Sequence, residues 1–171
     1  MKRVLILVLS GTLVLALAGI SLAIHADDQD GFQSPAGLTN GANLWKYLTK
    51  DEPYTKWDLS PGTMKMQKGM EPHGAYVTIY VTKGAKKAIE KKKGKFTQGN
   101  IIVKENYSPD KNLAAVTVMY KAIGYNPEAG DWFWAKFQPD GTVDAEGKVK
   151  GCINCHSKVS DNDWVFTGKG M

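Results

Sequence analysis

The chain has 171 residues, a net charge of +5 and two cysteines, Cys152 and Cys155. This length is enough for one domain with a substantial core, but not for two, once a targeting segment is set aside. The charge is too small to indicate nucleic-acid binding. No other thiol competes to pair with the two cysteines.

The first 26 residues are typical of a secretory signal peptide. Lys2 and Arg3 precede an apolar run over residues 4–24, and small residues up to Ala26 offer an exit for cleavage. The run is also long enough to cross a bilayer, so an uncleaved anchor over residues 4–24 is the alternative. Either interpretation places the rest of the chain outside the cytoplasm, and we predict a periplasmic protein.

The remaining sequence predicts a leader followed by one domain. Residues 27–41 are polar and contain glycine and proline, which is typical of a flexible leader, and residues 42–171 are assigned to the domain. Helical spacing predicts helices over residues 43–50 and 84–93, the second ended by Gly94, with an ordered loop over residues 53–74. Strands are predicted over residues 75–82, 100–107, 113–123 and 131–137.

Short turns between these strands indicate the fold class. Residues 108–112 form a five-residue hairpin turn, and strands joined by short turns run antiparallel. We therefore predict an α+β fold in which a predominantly antiparallel β-sheet carries a few peripheral helices. This pattern excludes a four-helix bundle.

Near its C-terminus the chain reads Cys152-Ile153-Asn154-Cys155-His156. Two cysteines separated by two residues and followed by histidine form the attachment signature of c-type haem. Both sulfurs bond to the porphyrin edge in such sites and the histidine binds the iron, which predicts one covalent haem c per chain with His156 as the metal ligand. A redox-active disulfide and a zinc site are the alternatives, although zinc requires four ligands and the chain offers few beyond these three.

The position of the motif bears on the second face of the iron. Common electron-transfer cytochromes supply a methionine ligand from far downstream, and here only the terminal Met171 follows the motif. Methionines at positions 64, 66, 70 and 119 are more typical of core filling. We therefore predict an iron with His156 on one face and an open position on the other. An open position indicates small-molecule binding or catalysis rather than plain electron transfer.

Several longer runs, taken in order, resemble one haem protein family. They span residues 99–107, 119–127, 131–134, 151–156 and 162–167, and read GNIIVKENY, MYKAIGYNP, DWFW, GCINCH and NDWVFT. With these runs the chain resembles the cytochrome P-460 family from about Leu44 onward. The resemblance implies an antiparallel sheet that carries the haem, usually in a homodimer.

The resemblance also implies a function. Members of the family include enzymes that oxidise hydroxylamine and the cytochromes c'-beta, which bind nitric oxide. The first relationship implies oxidation of hydroxylamine or a related small nitrogen compound, with electrons passed to a soluble redox partner. The alternative is a non-enzymatic nitric-oxide-binding protein, so the enzyme assignment stays open.

Lys104 is the position that matches a lysine linked covalently to the porphyrin in the enzymes of that family. Three apolar residues precede it in the sequence Ile101-Ile102-Val103-Lys104-Glu105. A third covalent tie would distort the macrocycle and change its electronic structure. The alternative is an ordinary lysine near a strand end, with its ammonium in water or paired with Glu105. The cytochromes c'-beta do not need this bond.

The residues on the open face of the iron are harder to assign. Oxidation of an ammonia-like substrate benefits from a nearby base, and Glu146, Glu105 and Asp131 are the candidates. An aromatic lid would instead favour a neutral diatomic ligand. Its candidate residues, which are otherwise ordinary core aromatics, are Tyr76, Tyr80, Phe133 and Trp134.

Two further features have both a functional and an ordinary interpretation. His73 is a candidate iron ligand or proton carrier, but a histidine in a Pro-Gly turn is typically exposed or caps the turn. Lysines at positions 83, 86, 87, 91, 92, 93 and 95 could steer an acidic electron acceptor, and are otherwise a solvated helix face.

Overall fold

The structure is a computed structural model, and it describes residues 36–92 and 94–167. The signal or anchor segment, most of the predicted leader and Met171 lie outside the described residues. Leu38, near the end of the predicted leader, is buried in the core, and the first helix begins at Gly41. Within the described ranges, no helix is both long and apolar enough to cross a membrane.

One antiparallel sheet forms the centre of the molecule, and it has seven strands within the described residues. The strands are β1 (Asp58–Leu59), β2 (Gln67–Lys68), β3 (Tyr76–Val81), β4 (Ile101–Tyr107), β5 (Leu113–Lys121), β6 (Trp132–Phe137) and β7 (Val143–Gly147). Their order in the sheet is β1-β3-β4-β5-β6-β7, and β2 also pairs with β3. The predicted α+β fold with a predominantly antiparallel sheet is confirmed.

Three α-helices lie around the sheet in the part of the chain that the structure describes. They are α1 (Gly41–Lys46), α2 (Lys83–Glu90) and α3 (Lys150–His156). The side chain of Asn40 accepts a hydrogen bond from the backbone N–H of Asn43 and so caps the first turn of α1. Short helical segments at Tyr47–Asp51, Tyr54–Lys56, Pro127–Ala129 and Ser157–Asn162 complete the fold.

The four predicted strands and both predicted helices are present, with ends that differ by a few residues. The second helix ends at Glu90 rather than at Gly94, because Lys91 caps it and Lys92 adopts a positive φ of 49°. The loop predicted over residues 53–74 contains the two-residue strands β1 and β2. The edge strand β7 has no counterpart among the predictions.

Alternation along the strands gives the sheet two buried faces. On one face, which we call the α1 face, Tyr80, Val103, Val118 and Phe133 pack with residues of α1 such as Leu44. On the other, which we call the α3 face, the sheet residues pack against α2 and α3; they include Val77, Ile79, Ile102, Met119, Trp132 and Trp134. Both faces of the central strands are therefore covered.

Candidate haem site

Helix α3 carries the cysteines and the histidine of the C-terminal motif. Cys152 and Cys155 lie about one helical turn apart, so both sulfurs project from the same side of the helix. No disulfide joins them. Cys152 and Ile153 pack against the apolar cluster of the α3 face, and burial raises the pKa of the Cys152 thiol. The motif is therefore held against the sheet.

His156 ends α3, and its imidazole is buried. Nδ1 lies 2.6 Å from the backbone carbonyl oxygen of Trp164. Because a carbonyl only accepts, Nδ1 carries the hydrogen and Nε2 keeps its lone pair. The rings of Trp134 and Phe166 pack around the imidazole, with centres 4.7 and 5.1 Å away. Burial lowers the pKa of His156 below its ordinary value, so the ring is neutral at pH 7 and Nε2 is available to a metal.

A cavity on the α3 face lies between the sheet and α3. Cys152, Cys155 and His156 line it from the helix, and Lys104 lines it from the middle of β4. The rest of the wall is largely apolar and includes Ile79, Ile89, Ile102, Met119, Trp134, Val149, Val165 and Phe166. Such a wall excludes water and penalises any uncompensated charge inside it.

Lys104 brings an amine into this apolar cavity. Its neighbours across the sheet are Ile79 on β3 and Thr117 on β5. Its side-chain nitrogen has no hydrogen-bond or ion-pair partner among the residues that the structure describes. Burial lowers the pKa of Lys104 to about 8, and the nearby Cys155 acts in the opposite direction. Around neutral pH, a fraction of this amine is therefore uncharged and nucleophilic.

Comparison with protein families identifies the chain. A family model described as Cytochrome P460 matches residues 51–167, which is more than half of the sequence. The chain belongs to the cytochrome P460 family. No curated protein matches it. Membership implies a haem cofactor and confirms the family resemblance of the sequence runs.

The cavity of this cytochrome P460 has the features that a haem requires. Apolar walls suit the porphyrin, and Nε2 of His156 offers a ligand to its iron. Trp134 lines the cavity, and its buried indole N–H has no hydrogen-bond partner in the described part of the chain. Buried indole N–H groups normally have an acceptor, which a bound cofactor would supply. The same described ranges contain no group of three or more His, Cys, Asp or Glu side chains that could hold a bare metal ion.

The four residues predicted to contact the haem line one cavity. Cys152, Cys155 and His156 come from α3, whereas Lys104 comes from a strand some fifty positions earlier. Their bonds to a cofactor remain predictions. Their convergence nevertheless requires the antiparallel register that pairs β4 with β3 and β5, since this register turns Lys104 toward the α3 face.

None of the three candidate carboxylates lines this cavity, so the structure does not support any of them as a base there. Glu105 follows Lys104 on β4 and therefore points to the α1 face. Each carboxylate accepts hydrogen bonds elsewhere. Glu105 accepts from the hydroxyls of Tyr54 and Tyr107. Glu146 accepts from the backbone N–H of Gly41, and Asp131 accepts from that of Asn126.

Three of the four lid candidates do not line the cavity and have the alternative, ordinary position on the other face of the sheet. Tyr80 and Phe133 belong to the core of the α1 face, and Tyr76 shares their side of the sheet by alternation along β3. Trp134 is the candidate that does line the cavity. Phe133 and Trp134 are neighbours on β6 and point to opposite faces of the sheet, so they cannot both belong to one lid.

His73 lines the cavity, although its place in a Pro-Gly turn is more typical of an exposed or capping residue. It lies in the turn before β3 and has its ring centre 6.4 Å from that of His156. The sequence signal was its position two residues before Ala75, the first residue of the alternating pattern that faces α3. A turn carries no periodicity of its own, so this signal did not specify the direction of the imidazole.

Proposed function

We propose that this cytochrome P460 is a periplasmic c-type haem protein that oxidises hydroxylamine or a related small nitrogen compound. In this proposal, electrons pass on to a soluble redox partner. The observation that carries it is Lys104, whose amine has no partner among residues 36–92 and 94–167. It has a pKa of about 8 and lies in the same apolar cavity as the cysteines and histidine of the motif.

The residues of the cavity have distinct roles in this proposal. The sulfurs of Cys152 and Cys155 would anchor the haem, and Nε2 of His156 would bind its iron. When bound, the haem would supply a redox-active iron that can take electrons from a nitrogen ligand. The carbonyl of Trp164, 2.6 Å from Nδ1 of His156, holds the imidazole in the tautomer that exposes Nε2 and raises its basicity.

Lys104 supports the enzymatic form of the proposal. Burial imposes a desolvation penalty on the charged form of Lys104, and the nearby Cys155 offsets this penalty only in part. A bond between its nitrogen and a porphyrin carbon would replace one N–H and one C–H bond, a two-electron oxidation for which we propose a peroxide as the oxidant. The product would be an uncharged amine, without the desolvation penalty. This bond would also tie the macrocycle to β4 and alter its electronic structure.

Helix α2 offers a surface for the redox partner. Ile89 lines the cavity, while Lys83, Lys87 and Lys91 on the same helix or at its C-cap are exposed. Lys86 forms an ion pair with Asp58 at 3.2 Å. Exposed positive charge beside the site would attract an acidic electron acceptor, at a rate that falls with ionic strength.

Nitric-oxide binding without turnover is the second candidate, and it is favoured by the position of the candidate carboxylates outside the cavity. Glu105, Glu146 and Asp131 all have partners outside the cavity. An apolar wall of this kind suits a neutral diatomic ligand, whereas oxidation of hydroxylamine releases protons that need an acceptor.

Turnover of hydroxylamine with an artificial electron acceptor separates the two functions. We expect the wild-type holoprotein to consume hydroxylamine and its haem-bearing tryptic peptide to include Lys104. Lys104→Ala should lower turnover by roughly 10- to 100-fold, the usual effect of losing a group that tunes a metal centre, and should shift the Soret band.

Lys46→Ala is the matched control, because Lys46 is an exposed lysine on α1, across the sheet from the cavity, and pairs with Asp51. It should leave both turnover and spectrum unchanged. A holoprotein that binds nitric oxide but consumes no hydroxylamine, and whose spectrum does not respond to Lys104→Ala, would contradict the enzymatic proposal and support the binding protein.

A further inference from the structure

The imidazoles of His73 and His156 lie close to one another in the same cavity. Both residues line the cavity, their ring centres are 6.4 Å apart, and their ring planes are nearly perpendicular at 89°. His156 reaches the cavity from α3, and His73 reaches it from the turn between β2 and β3. Two histidines from separate parts of the chain therefore converge on a single space.

The tautomer of His73 follows from the hydrogen bonds of Asn106. The amide nitrogen of Asn106 lies 2.9 Å from the carbonyl oxygen of Lys104 and 3.3 Å from that of Ala115, and it can only donate to them. The amide oxygen of Asn106 is then the atom 3.0 Å from Nδ1 of His73. Because that oxygen accepts, Nδ1 carries the hydrogen and Nε2 has the lone pair.

His73 therefore repeats the arrangement found at His156. In each residue an oxygen holds Nδ1–H and leaves Nε2 free to bind a metal, which is the usual support for a metal-binding histidine.

The spacing of the two rings matches a shared metal ion. A bond between imidazole nitrogen and a metal is about 2 Å long, so two imidazoles on one ion bring their nitrogens to about 4 Å and their ring centres to about 6 Å. The observed separation is 6.4 Å. A small ligand inserted between the iron and His73 would require a wider gap.

We propose that His73 binds the haem iron through Nε2 on the face opposite His156, as a sixth ligand that substrate or nitric oxide must displace. The inference rests on the proposed haem at this site. It changes the proposed function in one respect, since the second face of the iron is closed at rest and opens when a ligand competes successfully.

The turn that carries His73 is closely packed against the end of β4. A Cβ on Gly74 would come within 2.5 Å of the backbone N and O of Tyr107, so only glycine allows this approach. Gly69 donates to the carbonyl of Ala75 and closes the same turn. These contacts hold His73 at the cavity, and the turn itself lies outside the central strands.

Electron paramagnetic resonance of the ferric holoprotein at pH 7 tests the ligand. Covalent haem c is first established from the pyridine haemochrome spectrum of the denatured protein. We expect a low-spin signal in wild type, a high-spin signal in His73→Ala, and recovery of the low-spin signal when free imidazole is added to the variant. His73→Ala should also bind cyanide with an apparent affinity about tenfold or more above wild type, because no internal ligand competes.

Met70→Ala is the matched control, since Met70 lies in the same turn and its side chain is 55% exposed. It should retain the wild-type signal. A high-spin wild-type protein would overturn the inference, as would a low-spin signal that survives His73→Ala. Turnover is scored separately: a high-spin protein that oxidises hydroxylamine refutes only the His73 ligand, and a low-spin protein without turnover refutes only the oxidase.

Discussion

Gly130 shows how one residue without a side chain supports the position of His156, the predicted iron ligand. Its φ is +68°, and a Cβ at this position would lie 2.5 Å from the indole ring of Trp164 and 3.0 Å from Oδ1 of Asp163. The backbone carbonyl of Trp164 is the acceptor that orients His156. Because Gly130 has no side chain, Trp164 can lie close enough for its carbonyl to accept the hydrogen bond from His156.

An L-residue in left-handed backbone costs roughly 1–2 kcal/mol by itself. We expect Gly130→Ala to lower the free energy of unfolding by more than this amount. The added methyl group must displace Trp164, which should also change the haem spectrum. Denaturant unfolding and the Soret band report the two effects.

Gly124→Ala is the control that separates backbone strain from the displacement of Trp164. Gly124 also has a positive φ, +84°, but a Cβ there would meet nothing within 4 Å. This variant should show the backbone loss alone and a wild-type spectrum. Equal effects of the two substitutions on both readouts would contradict the role given to Gly130.

At this scale the sequence predicts residues whose chemistry is carried by local spacing. The Cys-x-x-Cys-His motif predicts haem attachment from its spacing alone, and Lys104 became a candidate through the runs that resemble the family. His73 and the partners of Glu105 could not be predicted in the same way, because their positions depend on contacts made far along the chain. Asn106 is 33 positions from His73, and no sequence period connects them.

At the scale of elements, a buried polar cluster joins β4 to the segment before β1. Glu105 accepts hydrogen bonds from the hydroxyl of Tyr54 at 3.1 Å and from that of Tyr107 at 2.6 Å. Burial, and after it Glu105, raises the pKa of Tyr54 above its ordinary value. The phenol is thus held in its neutral, donating form.

This cluster predicts a loss of stability at alkaline pH. Tyr54 keeps its proton in the folded state and loses it near pH 10 in the unfolded state, so its contribution is complete below pH 10 and declines as the pH rises above that value. Tyr54→Phe should lower the free energy of unfolding at pH 7 by about 1–3 kcal/mol, the usual effect of removing a hydrogen bond to a charged group. Its stability should then fall less steeply than wild type between pH 10 and 11, as urea unfolding at each pH would show.

Tyr76→Phe is the control for this series, because the Tyr76 ring lies 5.5 Å from Nζ of Lys111 and does not join the Glu105 cluster. It should follow the wild-type curve at every pH. If Tyr54→Phe also runs parallel to wild type above pH 10, the ionisation of Tyr54 does not contribute to alkaline unfolding.

The elements that the sequence predicts are those with strong internal patterns. Strands β3 to β6 have apolar alternation or continuous apolar runs, since both faces of the sheet are covered. Strand β7 has only two apolar residues among five and is half exposed, so its pairing with β6 rather than its own composition makes it a strand. Strands β1 and β2 have two residues each and are too short for any period.

At the scale of the whole molecule, a buried ion pair connects the segment that follows the Cys-x-x-Cys-His motif to the sheet. Nζ of Lys121, at the end of β5, lies 2.6 Å from both carboxylate oxygens of Asp163 and 2.6 Å from the carbonyl of Gly130. Asp163 also accepts from the backbone N–H of Phe96, and its carbonyl accepts from the indole of Trp132. Asp163 directly precedes Trp164, so this cluster connects the fold to the acceptor of His156.

Removing one member of the pair should therefore affect both stability and the haem. Lys121→Met leaves the carboxylate of Asp163 buried without its cation, which should lower the free energy of unfolding by about 3–5 kcal/mol. Lys121→Met combined with Asp163→Asn should lose less than the sum of the single variants, because the second substitution removes the stranded charge. Urea unfolding measures these differences, and the Soret band should shift in Lys121→Met.

The exposed pair of Lys46 and Asp51 provides the comparison that tests burial as the cause. Their charged atoms are 3.3 Å apart, but their side chains are 70% and 48% exposed. Water screens such a pair, so Lys46→Met should change the free energy of unfolding by less than about 1 kcal/mol and leave the spectrum unaltered. Similar losses for Lys121→Met and Lys46→Met, or strictly additive losses at Lys121 and Asp163, would contradict the structural tie. A large loss at Lys121 with an unchanged Soret band would separate the two functions of the cluster, leaving it as support for the fold but not for the position of His156.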